Sequence, residues 1–539
     1  MARLTRRAFL IVGAGAVALG AGAVAARGPL RDLVRDEPSV EKDKGEFPPP
    51  ERTRDCANPP NPTVAENCRP GSDAWLMDAV DGTVEGFFDR SSVGRGDPLA
   101  LRVRSDDPEV TVEVFRSGWY DGLGGRLVAT RTVTVAPQPE PHRTADTGLI
   151  SASNWSVAAR FDTADWPSGV YLAKLTNGTG GQGQALVVVR EDGRRSDALV
   201  LIPDTTYLAY NYWGDYSLYA GADGSPRSVE VSYDRPYSNV LVNQADWYLR
   251  ADMPLVRWLE AEGYDVAYAA AGDVGRRDLG TRGTWIWSGH SEYWSQAMRD
   301  ACEEARDAGV HQVFMGANSA YWRVRFRPDP WTGEPDRVMV CYKGCEESLT
   351  TLGPGPVTDP VTPTTMWRDP VVDAPENALI GVMYVGQDLA RNYPIVVPPE
   401  EAGDPLWRGT DLAAAAEPTS IGQELVGWEW DAVVDNGRTP EGLRLLSATP
   451  VSGDVLVDTG PTVTGSATSS AAVHRTAGGA IVFATGSMLF SWGLDDMGLR
   501  LYSGGRPQGE PDARIRQLMT NVLVEMGCRP GTPATDLRI

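Results

Sequence analysis

Short runs of alternating apolar and polar residues fill the chain from about residue 74 to 192. PLALRVRS from Pro98, EVTVEVFRSG from Glu109, GVYLAKLTNG from Gly169 and QALVVVRE from Gln184 follow this pattern, with Gly, Asp and Pro between them. A period of two marks strands with one buried face, and the absence of intervening helical runs rules out a parallel sheet. The pattern predicts an antiparallel β-sandwich over 74–192.

The pattern changes from about residue 193. ALVLIP from Ala198 is apolar without alternation, as in a strand covered on both faces. DVAYAA from Asp265, TWIWSG from Thr284 and VHQVFMG from Val310 read as further strands, with AIVFATG from Ala480 and DVLV from Asp454 near the end. MPLVRWLEAEGY from Met253 and RDACEEARDAG from Arg299 have helical spacing, the second ended by Gly309. Strand alternating with helix predicts a doubly wound α/β domain over 193–535. Ligands in such sheets sit beyond the carboxyl ends of the strands. GHSEY from Gly289 and GANS from Gly316 lie at two such ends. Residues 345–365 read as a Pro/Thr/Gly-rich loop insertion.

Two segments precede the sandwich. Residues 1–27 carry TRRAFL from Thr5, a Gly/Ala-rich apolar stretch and Ala23-Val24-Ala25, the pattern of a twin-arginine signal with a cleavage site. Export by that route follows, to a secreted or membrane-anchored location outside the cytoplasm. Residues 28–73 are charged and proline-rich, without an apolar period, and read as a linker.

A formal charge of −22 argues against nucleic acid as a partner. Six cysteines in an exported chain permit disulfides, with Cys56 and Cys68 bracketing one loop and Cys341 and Cys345 another. Only four histidines occur, scattered at positions 142, 290, 311 and 474, which argues against a site built from two or three histidines. Oxygen ligands for a hard metal ion remain, and the chain is rich in tyrosine strings. Ser319 follows a strand but lacks the last glycine of a nucleophile elbow. GWEWD from Gly427 reads as a tryptophan-flanked turn.

Six motifs occur in one order: TTYLAYNYWGDYSLY, VSYDRPY, SGHSEYWS, GANSAYWRVRF, GWEWD and FATGSMLFSWGLD. With FRSGWYDGLGGRLV and DWPSGVYLAKL in the sandwich, the chain resembles the large (β) subunit family of N,N-dimethylformamidase over residues 74 to about 528. The resemblance implies a glutamine-amidotransferase-like α/β domain and one mononuclear ferric ion, Fe(III). Carried over by motif, its ligands are Tyr210, Tyr237 and Glu292, with His290, Asn318 and Glu429 as catalytic residues around the substrate. Two residues apart on extended chain, His290 and Glu292 face the same side. The activity implied is metal-assisted hydrolysis of an amide or related C–N bond, with a small amide-like substrate and Glu429 as general base. A homo-oligomer and a separate small subunit stay open. The alternative is a non-catalytic cell-surface or secreted binding protein that retains the fold.

Overall fold

The computed structural model describes residues 50–77, 80–237, 247–280, 283–344, 359, 361–456, 462–497 and 511–539. The twin-arginine segment, the first part of the linker, Cys345 and most of the 345–365 loop lie outside the described residues.

The alternating strands form two sheets. One holds Val84–Phe88, Pro98–Ser105 and Val157–Asp162. The other runs Ser92–Gly94, Gln182–Arg190, Gly169–Asn177, Glu109–Ser117 and Gly125–Thr134. Their inward side chains share one core, in which Leu99, Leu101 and Val103 from the first sheet join Val112, Val114 and Tyr171 from the second. This is the expected sandwich, with one parallel contact where Ser92–Gly94 lies along Gln182–Arg190.

The non-alternating strands build a seven-stranded sheet. Its parallel part runs Val266–Ala270, Ala198–Ile202, Thr284–Trp287, His311–Phe314 and Ile481–Ala484. Numbered by chain order, those five strands stand 2-1-3-4-5, and the order reverses between Ala198–Ile202 and Thr284–Trp287. Ala472–Arg475 and Arg444–Leu445 add antiparallel strands at the far edge. On one face Val200, Ile202 and Ile286 pack with helices Met253–Ala261 and Ala513–Glu525. On the other, Leu201, Trp287 and Phe314 pack with Met298 and Cys302 of helix Gln296–Asp307. Burial on both faces explains why these strands show no period of two.

Two further sheets were not legible. A four-stranded sheet joins Glu230–Ser232, Val338–Val340, Trp322–Arg327 and Tyr293–Ser295. Another joins Thr419–Ala432, Met383–Val397, Thr449–Leu456 and Thr462–Ser469. GWEWD therefore lies within a strand, not a turn, and Asp454 belongs to this side sheet rather than to the parallel one.

The second half of the expected linker is folded. Helix Pro62–Asn67 starts at Asn61, whose side chain accepts the Val64 N–H at 2.9 Å, with proline at the first turn. Asn61 also donates to the Gly263 carbonyl at 2.8 Å, and Asn67 donates to Glu260 at 2.8 Å. The short polar residues that suggested a linker are caps and anchors. Cys56 and Cys68 form the expected disulfide around this helix. Removing it by Cys68→Ser, with Cys56→Ser to avoid a free thiol, should cost about 3 kcal/mol on the chain-entropy argument. Chemical unfolding of the pair variant beside the oxidised protein measures this; equal stabilities would refute it.

Candidate active site

Three adjacent strands deliver their following residues to one place. Helix Asp204–Tyr210 follows Ala198–Ile202 and ends on Tyr210. Ser288 to Glu292 follow Thr284–Trp287, and Met315 to Ser319 follow His311–Phe314. The place lies beyond the carboxyl edge of the sheet, at the reversal of strand order. Two glycines let the backbone meet there. A side chain at Gly316 would put its Cβ 2.0 Å from the Gly289 carbonyl oxygen, and Gly289 itself has φ +50 with Asp252 at 2.5 Å. Asn318 adopts φ +55, the left-handed region that asparagine tolerates better than most residues.

His290 is at the centre. Its Nδ1 lies 3.1 Å from the Ala317 carbonyl, which fixes that nitrogen as a donor. Nε2 then faces two carboxylates, Glu292 at 3.1 Å and Glu429 at 3.5 Å. Burial disfavours the imidazolium, but both glutamates and the carbonyl outweigh it and raise the pKa to about 9. Asn318 donates from Nδ2 to Glu429 at 3.0 Å, while its own backbone N–H donates to Asp431 at 2.8 Å. Desolvation, with Glu292 nearby, raises Glu429 to about 7, although His290 pulls the other way. Glu292 is also disfavoured by burial, yet His290 and Lys343 draw its pKa below the ordinary value. The surroundings thus push the two carboxyl groups in opposite directions, Glu292 below and Glu429 above the ordinary value.

A group of phenols adjoins Glu292. The Tyr219 hydroxyl lies 2.8 Å from that of Tyr210 and 3.0 and 3.2 Å from the two Glu292 oxygens. Tyr293 donates to Tyr219. Burial pushes the Tyr210 and Tyr219 phenols well above their ordinary values, and the Glu292 charge adds to it. Trp247 stacks on the His290 ring, centroids 5.6 Å apart. Lys343 is fully buried, and its Nζ stands 3.4 Å from the Tyr219 ring centroid with no hydrogen-bond partner among the described residues. Desolvation lowers its pKa to about 7 against the pull of Glu292.

Of the residues expected from motifs, Tyr210, Glu292, His290, Asn318 and Glu429 come together. Tyr237 is not hydrogen-bonded to this set among the described residues; its electrostatic neighbours are Asp204, Arg235 and Arg337. The oxygens beside Tyr210 and Glu292 come instead from Tyr219, which the same tyrosine string contains but whose spacing does not single it out. Lys343 carries no sequence signal, and Asp431, the last residue of GWEWD, is not singled out by its motif. The other histidines serve elsewhere: His142 stacks on Trp331, His311 accepts the Ile481 N–H, and His474 contacts the Leu379 carbonyl. Ser319 has no partner that would activate it among the described residues.

Among the described residues, no three His, Cys, Asp or Glu side chains cluster as a metal site. Any metal here would depend on phenolate oxygen. The Tyr210, Tyr219 and Glu292 oxygens, mutually within 3.2 Å where hydrogen-bonded, fit a hard trivalent cation by ligand type.

Sheet order and site together define an α/β protein with a buried group of two carboxyls and an imidazole at its strand ends. The chain belongs to the N,N-dimethylformamidase beta subunit-like, C-terminal family, which residues 111–504 match. A stretch of 135 residues is 33% identical to the N,N-dimethylformamidase beta subunit of Paracoccus aminophilus, and 135 residues are 32% identical to that of Alcaligenes sp. Each match covers 23% of this chain and only 17% of the relative. A solved Paenibacillus sp. cycloisomaltooligosaccharide glucanotransferase complexed with cycloisomaltoheptaose is 20% identical over 23% of this chain and 17% of its own, with a TM-score of 0.14, too slight a likeness to carry argument.

Proposed function

We propose that the chain is an exported, iron-dependent hydrolase of an amide or related C–N bond. The observation that carries the reading is the pair Glu292 and Glu429, both buried against one imidazole and pushed apart in pKa. Such splitting assigns one carboxylate to a fixed charge and the other to proton transfer.

Glu429 accepts a proton from water as the oxygen adds to the carbonyl carbon, and delivers it to the departing amine nitrogen. Water is split across the bond, giving a carboxylic acid and an amine. The His290 imidazolium donates from Nε2 toward the developing oxyanion. Asn318 holds the Glu429 oxygen from one side, and Asp431 holds Asn318. Tyr210, Tyr219 and Glu292 would hold one ferric ion. When bound, that ion supplies Lewis-acid polarisation of the carbonyl. Trp247, seated on His290, covers one face of the imidazole with apolar surface.

The strand order 2-1-3-4-5 supports a glutamine-amidotransferase-like relationship for the α/β domain. Export by the twin-arginine route is supported by the Cys56–Cys68 disulfide, which suits an oxidising compartment. The relatives' names as beta subunits support assembly with a further subunit.

Metal analysis and visible absorption of three proteins test the centre. Wild type should carry one iron per chain and a tyrosinate-to-iron absorption band. Tyr219→Phe should lose both, and Tyr237→Phe should keep both. The reverse result restores Tyr237 as the ligand, and a colourless, metal-free wild type with full turnover overturns the iron-dependent reading.

A further inference from the structure

A cleft lined by none of His290, Glu292, Glu429, Asn318 or Tyr210 lies at the seam between the sandwich and the parallel sheet. Its volume is about 480 Å³, within the usual range of small-molecule sites. One wall is the sandwich segment from Arg90 to Pro98, which includes strand Ser92–Gly94, with Arg190 at the end of strand Gln182–Arg190. The other wall is the turn from Asp273 to Arg277, just past the edge strand Val266–Ala270, with the loop from Glu334 to Arg337. Five arginines and four acids line it.

The arginines are not alike. Arg337 forms a two-pronged pair with Asp234 at 2.7 and 3.1 Å. Arg190 bonds Asp192 and Ser92, and Arg90 pairs with Glu334 at 2.9 Å. These hold the walls. Arg276 and Arg277 reach their nearest acids only at 3.7 and 3.9 Å, beyond hydrogen-bond length. The Arg276 guanidinium is nevertheless fixed, stacked 4.1 Å over the Phe326 ring and donating from Nε to the Gly272 carbonyl. Arg277 makes no side-chain hydrogen bond among the described residues and is 60% exposed. A guanidinium held in place by stacking, with its terminal N–H groups uncommitted, is arranged for an incoming oxyanion.

We propose that this cleft binds a small oxyanion-bearing molecule through Arg276 and Arg277, independently of the hydrolytic centre. The shared chemistry is a carboxylate or phosphate group gripped by two adjacent guanidinium groups, with the Ser91 and Ser92 edge of the sandwich opposite. Bound across the seam, the ligand would bridge the two domains.

Calorimetric titration of the full chain at low ionic strength tests the proposal, with glucose 6-phosphate, succinate and glucose as probes. Saturable one-to-one binding of glucose 6-phosphate supports a phosphate ligand, and of succinate a carboxylate ligand; glucose should give no heat. Arg276→Gln and Arg277→Gln should each weaken the anion about tenfold, the scale of one lost charge-assisted bond. Arg277 is exposed, so its variant keeps the fold, and matching melting temperatures confirm it. No saturation by either anion up to the order of 10 mM, a range of very weak affinity, overturns the proposal. So does binding that is unchanged in both variants. Neither readout depends on amide turnover.

Discussion

Glu429→Gln should lower turnover by roughly 10²- to 10⁴-fold, the usual contribution of a positioned base. The amide keeps the shape and can still meet Asn318, but it cannot take a proton from water. Iron content and melting temperature should stay near wild type, because Glu429 is not among the three proposed ligands. Glu292→Gln should lose metal as well as activity. The pH profile adds a second readout. Burial raises the Glu429 pKa to about 7, so below that value the base is protonated and the rate rises with pH through it. A bound cation draws this limb to lower pH. In Glu429→Gln the limb should vanish. If the variant loses iron or unfolds, Glu429 is a ligand or a structural carboxylate. If it retains full turnover, His290 becomes the candidate for the proton.

Glu260→Met should destabilise the fold by about 3–5 kcal/mol, the cost of stranding a buried charge. Glu260 is fully buried and accepts from both Nη atoms of Arg116 at 3.0 and 2.7 Å, from Asn67 at 2.8 Å and from Tyr268 at 2.9 Å. These partners come from the sandwich, the disulfide-bound helix and the parallel sheet, so one carboxylate fastens three parts of the chain. Burial penalises the Arg116 cation, and Glu260 is its main compensation. Replacing both by methionine should recover most of the loss, since a buried pair is worth little over apolar packing. Denaturant titrations of the two single variants and the double variant complete the cycle. A single-variant loss below about 1 kcal/mol, the range of an exposed pair, would refute the assignment.

The half-buried strands of the sandwich and the doubly covered strands of the parallel sheet were legible because burial leaves a period, or its absence, in the sequence. Thr419–Ala432 was not. Its second half, from Leu425 onward, is buried on both faces, and its pairing with Met383–Val397 shifts register three times. No simple alternation survives that geometry, so Glu429 looked like a turn residue. His290 and Glu292 were legible because they end an apolar strand two residues apart, and they are hydrogen-bonded as that spacing implies. Choosing among 18 tyrosines was a different problem. Tyr219 and Tyr237 both sit in matched motifs, and among the described residues the phenol hydrogen-bonded to Glu292 is that of Tyr219. Lys343 was invisible because its neighbours are aromatic faces drawn from distant segments.

The last parallel strand, Ile481–Ala484, pairs directly with His311–Phe314, and the chain between them leaves the parallel part of the sheet, returning only as the antiparallel edge strands Arg444–Leu445 and Ala472–Arg475. Glu429 rides on that excursion and meets Asn318 across 111 residues of chain. Long-range closures of this kind come late, because their entropy cost precedes their reward. A chain synthesised only as far as Asn318 therefore contains Tyr210, His290, Glu292 and Asn318 but not Glu429. Glu429, the second carboxylate beside His290, joins that group only once synthesis of the excursion has delivered it.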